Sequence, residues 1–209
     1  MRVIIFDLDD TLYKELSFVY GGFRAAADFL SPWMGAAPGK IFKELKRLEK
    51  IDRKKVFDRF LGNEPYLIKK AVAIYRNHTP RLELFPEAKR CLERYRRLPL
   101  YVVTDGNKVV QKKKFEALGL KKWIKKCLCT HAYGLHRKKP SPYCFEKICR
   151  LERVSPDEVV YVADNPKKDF IGIKALGFQT VRVLTGPYRH LKVSKALDAD
   201  RKLKSLDEL

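Results

Sequence analysis

A four-residue apolar run, Val3-Ile4-Ile5-Phe6, passes directly into Asp7-Leu8-Asp9-Asp10-Thr11. A short apolar run closed by polar residues reads as a strand buried on both faces, the kind found in parallel sheets. Open α/β sheets place their ligands at the carboxyl ends of the strands. The three carboxylates are therefore expected at a binding edge. Asp7 and Asp9 are two apart and share a face if the strand continues. Like charges this close repel and raise one pKa, unless a cation lies between them. A hard divalent ion such as Mg²⁺, which prefers oxygen ligands, meets that need. The plainer alternative is a strand running into an acidic turn.

The rest of the chain supplies companions for this strand. Leu100 to Val103, Cys127 to Thr130, Val159 to Ala163 and Thr180 to Leu184 read as further short strands. Between them lie helical stretches: Pro86 onward with Ala88, Cys91, Leu92 and Tyr95 inward, Val110 to Leu118 closed by Gly119, and one starting at Ser141-Pro142. Ser155-Pro156-Asp157-Glu158 looks like a capping box, and Ile171 to Leu176 reads as a short helix stopped by Gly177. Strands alternating with helices from residue 86 onward predict an α/β fold with a doubly wound parallel sheet. The segment from Leu191 reads as a charged or frayed helix.

About ninety residues separate the first two strands, where a parallel crossover needs only a dozen or so. The excess is helical in pattern. Phe23, Ala26, Ala27 and Leu30 mark a helix that Ser31-Pro32 is expected to break, followed by a loop over Gly35 to Gly39. Ile41, Phe42, Leu45 and Leu48 mark a second, Val56 to Leu61 a third, and Leu67, Ala71, Ile74 and Tyr75 a fourth. Residues 14–85 are thus expected to form an inserted helical cap acting as a lid, with 1–13 and 86–209 as the catalytic core.

Composition narrows the partners. There are 45 Lys+Arg against 25 Asp+Glu, a formal charge of +20, which points to an anionic substrate or partner. The positive residues fall in small clusters, among them Arg53-Lys54-Lys55, Lys112-Lys113-Lys114, Lys121-Lys122 and Arg137-Lys138-Lys139. Such clusters are expected to be solvated helix faces. No apolar run approaches the ~18 residues of a membrane span, and the chain enters its first strand without a signal-peptide pattern. Five cysteines in a chain of this size need no disulfide scaffold, so a cytoplasmic location is expected.

Polar residues at the strand ends recur. Thr104 ends the second, Asp164 the fourth with Asp169 five residues on, and Lys139-Pro140 precedes the helix leading to the fourth. Asp7-Leu8-Asp9-Asp10-Thr11, Thr104, Lys139-Pro140-Ser141-Pro142 and Asp164-Asn165-Pro166-Lys167-Lys168-Asp169 together resemble the four motifs of the haloacid dehalogenase-like hydrolase superfamily. The insertion after the first motif resembles the helical cap of the subgroup that includes phosphoglycolate phosphatase and β-phosphoglucomutase. Ala163 stands where the family usually has Gly.

The resemblance implies roles. Asp7 is the nucleophile, forming an aspartyl-phosphate. Asp9 protonates the leaving oxygen and then activates water. Mg²⁺ is held by the Asp7 carboxylate, the Asp9 backbone carbonyl and Asp164, with Asp169 behind them as support. Thr104 and Lys139 hold the phosphoryl oxygens. Family dehalogenases lack the second motif-one aspartate, so Asp9 favours phosphate chemistry. Asp10 is expected to be a turn residue. Cys127, Cys129, His131 and His136 match no common zinc spacing, and Cys144 and Cys149 fit core positions. No Ser-His-Asp set and no Gly-rich nucleotide loop is visible.

The expected activity is Mg²⁺-dependent hydrolysis of a small phosphorylated metabolite. The alternatives are a phosphomutase using the same intermediate, a nucleic-acid end phosphatase motivated by the charge, or an interaction module with a disused site. The scattered clusters predict only weak, steeply salt-sensitive binding to nucleic acid. Tight binding at physiological salt in a filter or mobility-shift assay, with phosphate release from a strand end, would overturn the small-metabolite expectation.

Overall fold

A computed structural model describes all residues, 1–209. By contact the chain divides into two compact units, Met1–Glu15 with Leu82–Leu209, and Leu16–Arg81.

The first unit is built on a six-stranded, wholly parallel sheet: β1 (Val3–Phe6), β2 (Leu100–Thr104), β3 (Ile124–Cys129), β4 (Val159–Ala163), β5 (Gln179–Val183) and β6 (Arg201–Leu203). Their order is β3-β2-β1-β4-β5-β6. β1 is central, and Phe6 pairs with Val102 on one side and Val162 on the other. All four of its residues are buried, which is why it reads as continuous apolar sequence rather than alternation. The strand order reverses direction about β1 and β4, so their carboxyl ends flank the position where such sheets bind ligands.

Helices α5 (Pro86–Arg94), α6 (Lys108–Ala117), α7 (Tyr143–Glu152) and α8 (Ile171–Lys174) link the strands. α7 turns Cys144, Phe145, Ile148 and Cys149 onto a core shared with Ile5, Tyr101, Val103 and Tyr161. The Phe145 and Tyr161 rings meet edge to face at 4.7 Å, an arrangement the ring quadrupoles favour. The capping box at Ser155 and Glu158 is formed.

The second unit packs four helices, α1 (Glu15–Met34, from Leu16 onward), α2 (Pro38–Ile51), α3 (Val56–Leu61) and α4 (Pro65–Asn77). Their shared core includes Phe23, Ala27, Leu30, Leu45, Phe57 and Ala71. α1 and α4 approach closely at Gly22, where a Cβ would lie 2.4 Å from the Tyr75 ring. No helix is long and apolar enough to cross a membrane.

Three local expectations are corrected. Ser31-Pro32 does not break α1, which continues to Met34. Proline here falls in the last turn and forfeits one backbone hydrogen bond, while Ser31 Oγ donates to the Ala36 carbonyl at 2.8 Å and Gly35, at φ +59°, ends the helix. The third strand begins three residues earlier than its apolar run, at Ile124. Its consecutive residues Lys125 and Lys126 are both exposed, where the register with β2 shifts by one residue, as an edge strand allows.

The end of the chain is neither a charged nor a frayed helix but adds β6 to the sheet, with a sharp staple behind it. Arg182 of β5 is fully buried. It donates to both Asp198 oxygens, at 3.2 and 3.3 Å, to the Leu191 carbonyl at 3.0 Å, and to the Tyr188 carbonyl. Lys202 joins Asp198 at 2.7 Å. Removing one member of a buried pair strands the other without a counter-charge. Arg182→Met is expected to destabilise the fold by about 3 kcal/mol. It should also raise hydrogen exchange at Arg201–Leu203 before the central strands respond, which exchange mass spectrometry measures.

Candidate active site

The strand ends gather the predicted residues into two adjoining clusters. In the first, Asp7 follows β1 and its N–H donates to the Val162 carbonyl of β4 at 2.9 Å. Asp164 follows β4, and Asp169 lies five residues on. Carboxylate oxygens of Asp7, Asp164 and Asp169 lie within 4.8 Å of one another, and all three residues are buried.

Lys139 enters between them. Its Nζ is 2.6 Å from Asp7 Oδ1, 2.7 Å from Asp169 Oδ1 and 3.0 Å from the Tyr161 hydroxyl. Its side chain is wholly inaccessible. Burial works against the ammonium, but the Asp169 and Asp7 carboxylates more than offset this and hold it well above lysine's usual range. The loop carrying Lys139 is pressed against α8. A Cβ at Gly172 would stand 1.6 Å from the Pro140 carbonyl oxygen, so only glycine permits this approach.

The carboxylates feel one another. Burial pushes Asp7 up to about 6 despite Lys139, with Asp169 adding to the rise. Burial, then Asp7 and Asp169, push Asp164 up to about 9. Asp169 is engaged on both oxygens, by Lys139 and the Tyr161 hydroxyl on one and by the Asn165 N–H at 3.1 Å on the other. Asp164 has no hydrogen-bond or ion-pair partner of its own. Three buried carboxylates served by one ammonium, with one of them unpartnered, form an all-oxygen donor set with an excess of negative charge. That set fits a hard divalent cation.

The second cluster centres on Asp9, whose carboxylate is not part of that acidic group. Its Oδ1 accepts from Lys114 Nζ at 2.7 Å and the Tyr13 hydroxyl at 2.5 Å, and its Oδ2 from Gln111 Nε2 at 3.0 Å. Burial would raise its pKa, but Lys114, Tyr13 and Gln111 outweigh it and hold the carboxyl below its usual range. Gln111 Nε2 also donates to Thr104 Oγ1 at 2.8 Å. The end of β2 and the second motif-one aspartate are thereby tied together. Asp105 accepts from Thr130 Oγ1 at 2.6 Å and the Lys139 N–H at 3.1 Å, with Lys168 3.6 Å away, and so anchors the Lys139 loop. Asp10 takes a left-handed backbone, φ +54°, with its carboxylate accepting from the Glu15 N–H at 3.0 Å, as a turn residue does.

Lys114, Gln111, Tyr13, Tyr161 and Asp105 were not singled out by sequence. Lys114 corrects the reading of Lys112-Lys113-Lys114 as a solvated cluster, because it is buried on the inner face of α6 with Gln111 and Phe115. The spacing 111, 114, 115, 118 was the available signal: an inward helical stripe with two polar members.

The family model that matches, over residues 1–177, is described as haloacid dehalogenase-like hydrolase. A glyceraldehyde 3-phosphate phosphatase of Methanocaldococcus jannaschii is 29% identical, covering all of this chain and 95% of that one. A phosphoserine phosphatase of Thermus thermophilus is 28% identical over 89% of this chain and 90% of its own length. Among solved structures, a phosphatase of the same superfamily from Thermococcus onnurineus superposes over all of this chain and 95% of that one, with TM-score 0.68 and 24% identity.

The Asp164 carboxyl carries a pH signature. Its pKa rises from 3.8 to about 9 on folding without a cation. The folded chain therefore holds a proton there that the unfolded chain has released. This contribution to stability is complete below the ordinary value and is lost as pH climbs to about 9. Metal-free Asp164→Asn, which removes the charge and keeps the shape, should be more stable than the parent at pH 8 by on the order of 1–3 kcal/mol. The gap should narrow toward pH 5, and denaturant melts at the two pH values measure it.

Proposed function

This chain belongs to the haloacid dehalogenase-like hydrolases, and from that premise we propose that it is a Mg²⁺-dependent phosphatase. It hydrolyses a small phosphate monoester through an aspartyl-phosphate on Asp7. The observation that carries this reading is the second motif-one acid: Asp9 is held by three donors and linked through Gln111 to Thr104. Carbon–halogen cleavage does not need that group, whereas phosphoryl transfer to and from Asp7 needs a proton donor and acceptor beside it. The phosphatase names of the relatives support the same choice.

The chain's own groups divide the work. Asp7 attacks phosphorus and the ester oxygen departs, taking a proton from the Asp9 carboxyl, which Lys114 keeps ionised in the free site and which the negative charge of the phosphate beside it brings to the protonated form. Water then attacks the phosphoaspartate, Asp9 accepts its proton, and the Asp7–phosphorus bond breaks. Lys139 and Thr104 hold phosphoryl oxygens and offset their growing charge. Lys139 is already placed by Asp7, Asp169 and Tyr161, so it needs little rearrangement at the moment of reaction. A bound Mg²⁺ would be held by Asp7 and Asp164, with Asp169 supporting, and supplies neutralisation of the charge brought in by the phosphoryl group. The inserted helical unit is assigned the choice of substrate, as a cap. Five cysteines without a disulfide support a reducing, cytoplasmic setting.

EDTA is expected to abolish hydrolysis of p-nitrophenyl phosphate, and Mg²⁺ to restore it. Full activity in EDTA would remove the metal from the mechanism. Asp7→Asn should lose all turnover. Asp9→Asn keeps the nucleophile, and nitrophenol leaves without a proton. Rapid mixing should therefore show a burst near one equivalent and then a steady rate lowered by about 10²–10⁴-fold, with phosphate retained on the protein. A steady rate equal to the parent's would show that Asp9 is not the acid–base group.

A further inference from the structure

We propose that Lys114 is a positioning residue for the Asp9 carboxylate, occupying Oδ1 so that Oδ2, linked to Thr104 through the Gln111 amide, is the oxygen that exchanges the proton. This rests on the reading of Asp9 as the acid–base group and adds which of its atoms acts and what aims it.

The argument starts from acceptor capacity. A carboxylate oxygen offers two acceptor positions. Oδ1 fills both, with Lys114 Nζ at 2.7 Å and the Tyr13 hydroxyl at 2.5 Å. Oδ2 receives only the Gln111 amide at 3.0 Å, so one of its positions is open. That same amide reaches Thr104 Oγ1 at 2.8 Å and the Asp105 carbonyl at 2.5 Å. The open position on Oδ2 is thus tied to the hydroxyl assigned to the phosphoryl group.

Packing alone does not call for a lysine at 114. Its side chain is 5% exposed, and its neighbours on the inner stripe of α6, Phe115 and Leu118, fill the core. Replacing a buried ion pair by well-packed apolar residues of similar volume is often neutral or stabilising. What the ammonium does there is specific: besides Asp9 it lies 4.0 Å from Glu15 Oε1, where the chain leaves this unit. Lys114 therefore sets the rotamer of Asp9 from one side while Gln111 sets it from the other.

The proton then has one path. In the first half-reaction it leaves Asp9 Oδ2 for the ester oxygen as the phosphorus–ester bond breaks and the Asp7–phosphorus bond forms. In the second, Oδ2 takes a proton from water as the water–phosphorus bond forms and the Asp7–phosphorus bond breaks. Oδ2 returns to its starting state.

The test is a double-mutant cycle on the Mg²⁺-loaded protein, with an alkyl phosphate and p-nitrophenyl phosphate as substrates. Lys114→Met should lower kcat on the alkyl ester by on the order of 10–10²-fold, the scale of a misplaced catalytic group, while KM changes less than about twofold. The nitrophenol burst, which needs no proton, should remain. In an Asp9→Asn background the same substitution should cost less than about twofold, since its target is already gone. Lys114→Arg keeps the charge and donors in a displaced position. It should fall between, and it carries the test if the methionine variant does not fold. An undiminished loss in the Asp9→Asn background, or an unchanged kcat in both Lys114 variants, would overturn the proposal while leaving Asp9 as acid–base. Asp9→Asn turning over at the parent rate would overturn both.

Discussion

Everything at the carboxyl edge of the sheet depends on one buried ammonium. Lys139 stands between Asp7 and Asp169, with no access to water and three oxygens within hydrogen-bonding reach. Four carboxylates converge on the same few strand ends, and a buried carboxylate without compensation is costly. Lys139 serves two of them, Lys114 a third, and Asp164 is left to whatever cation the acidic group binds. The strain of this arrangement appears as the raised pKa values of Asp7 and Asp164. Sites that perform phosphoryl chemistry store negative charge ahead of the substrate, and the fold must hold it without collapse.

Lys139 and Lys114 reach these positions by different routes. Lys139 comes from a loop, braced by Asp105 through its N–H and by the close approach of α8 at Gly172. Lys114 comes from the inner face of a helix whose start is capped by Asn107, with its side chain accepting from Val109 and Val110. Both lysines are in place before any substrate arrives, Lys139 through its braced loop and three oxygen partners and Lys114 through its helix. The roles proposed for them differ in what they face, the substrate for one and the Asp9 carboxylate for the other.

Much of this was legible in the sequence for a physical reason. Strands buried on both faces spell themselves as apolar runs, and Val3–Phe6 and Val159–Ala163 appear at those bounds. Strand-end polar residues then mark Asp7, Thr104 and Asp164, while Lys139 and Asp169 stand out only through their order along the chain and the family resemblance that order carries. What escaped notice lacked such contrast. Lys114 hid among exposed lysines, since a triplet of like residues masks the one that turns inward. β6 has three residues, two of them basic and exposed, and so has no period to detect. Pro32 gives up one hydrogen bond to the turn before it without ending α1, because the helix is stopped just beyond, at Gly35.

The position of β1 has a consequence for how the protein is made. This strand lies far upstream of its sheet neighbours, residues 100–104 and 159–163. Until those are made, this apolar segment has no sheet, while the helical unit, whose hydrophobic core lies within Leu16–Arg81, has what it needs to fold locally. The order of synthesis is therefore the reverse of the order of assembly at the site. Asp7 meets Asp164 and Asp169 only once β4 has been made, so the acidic group cannot assemble on a product that stops short of that strand.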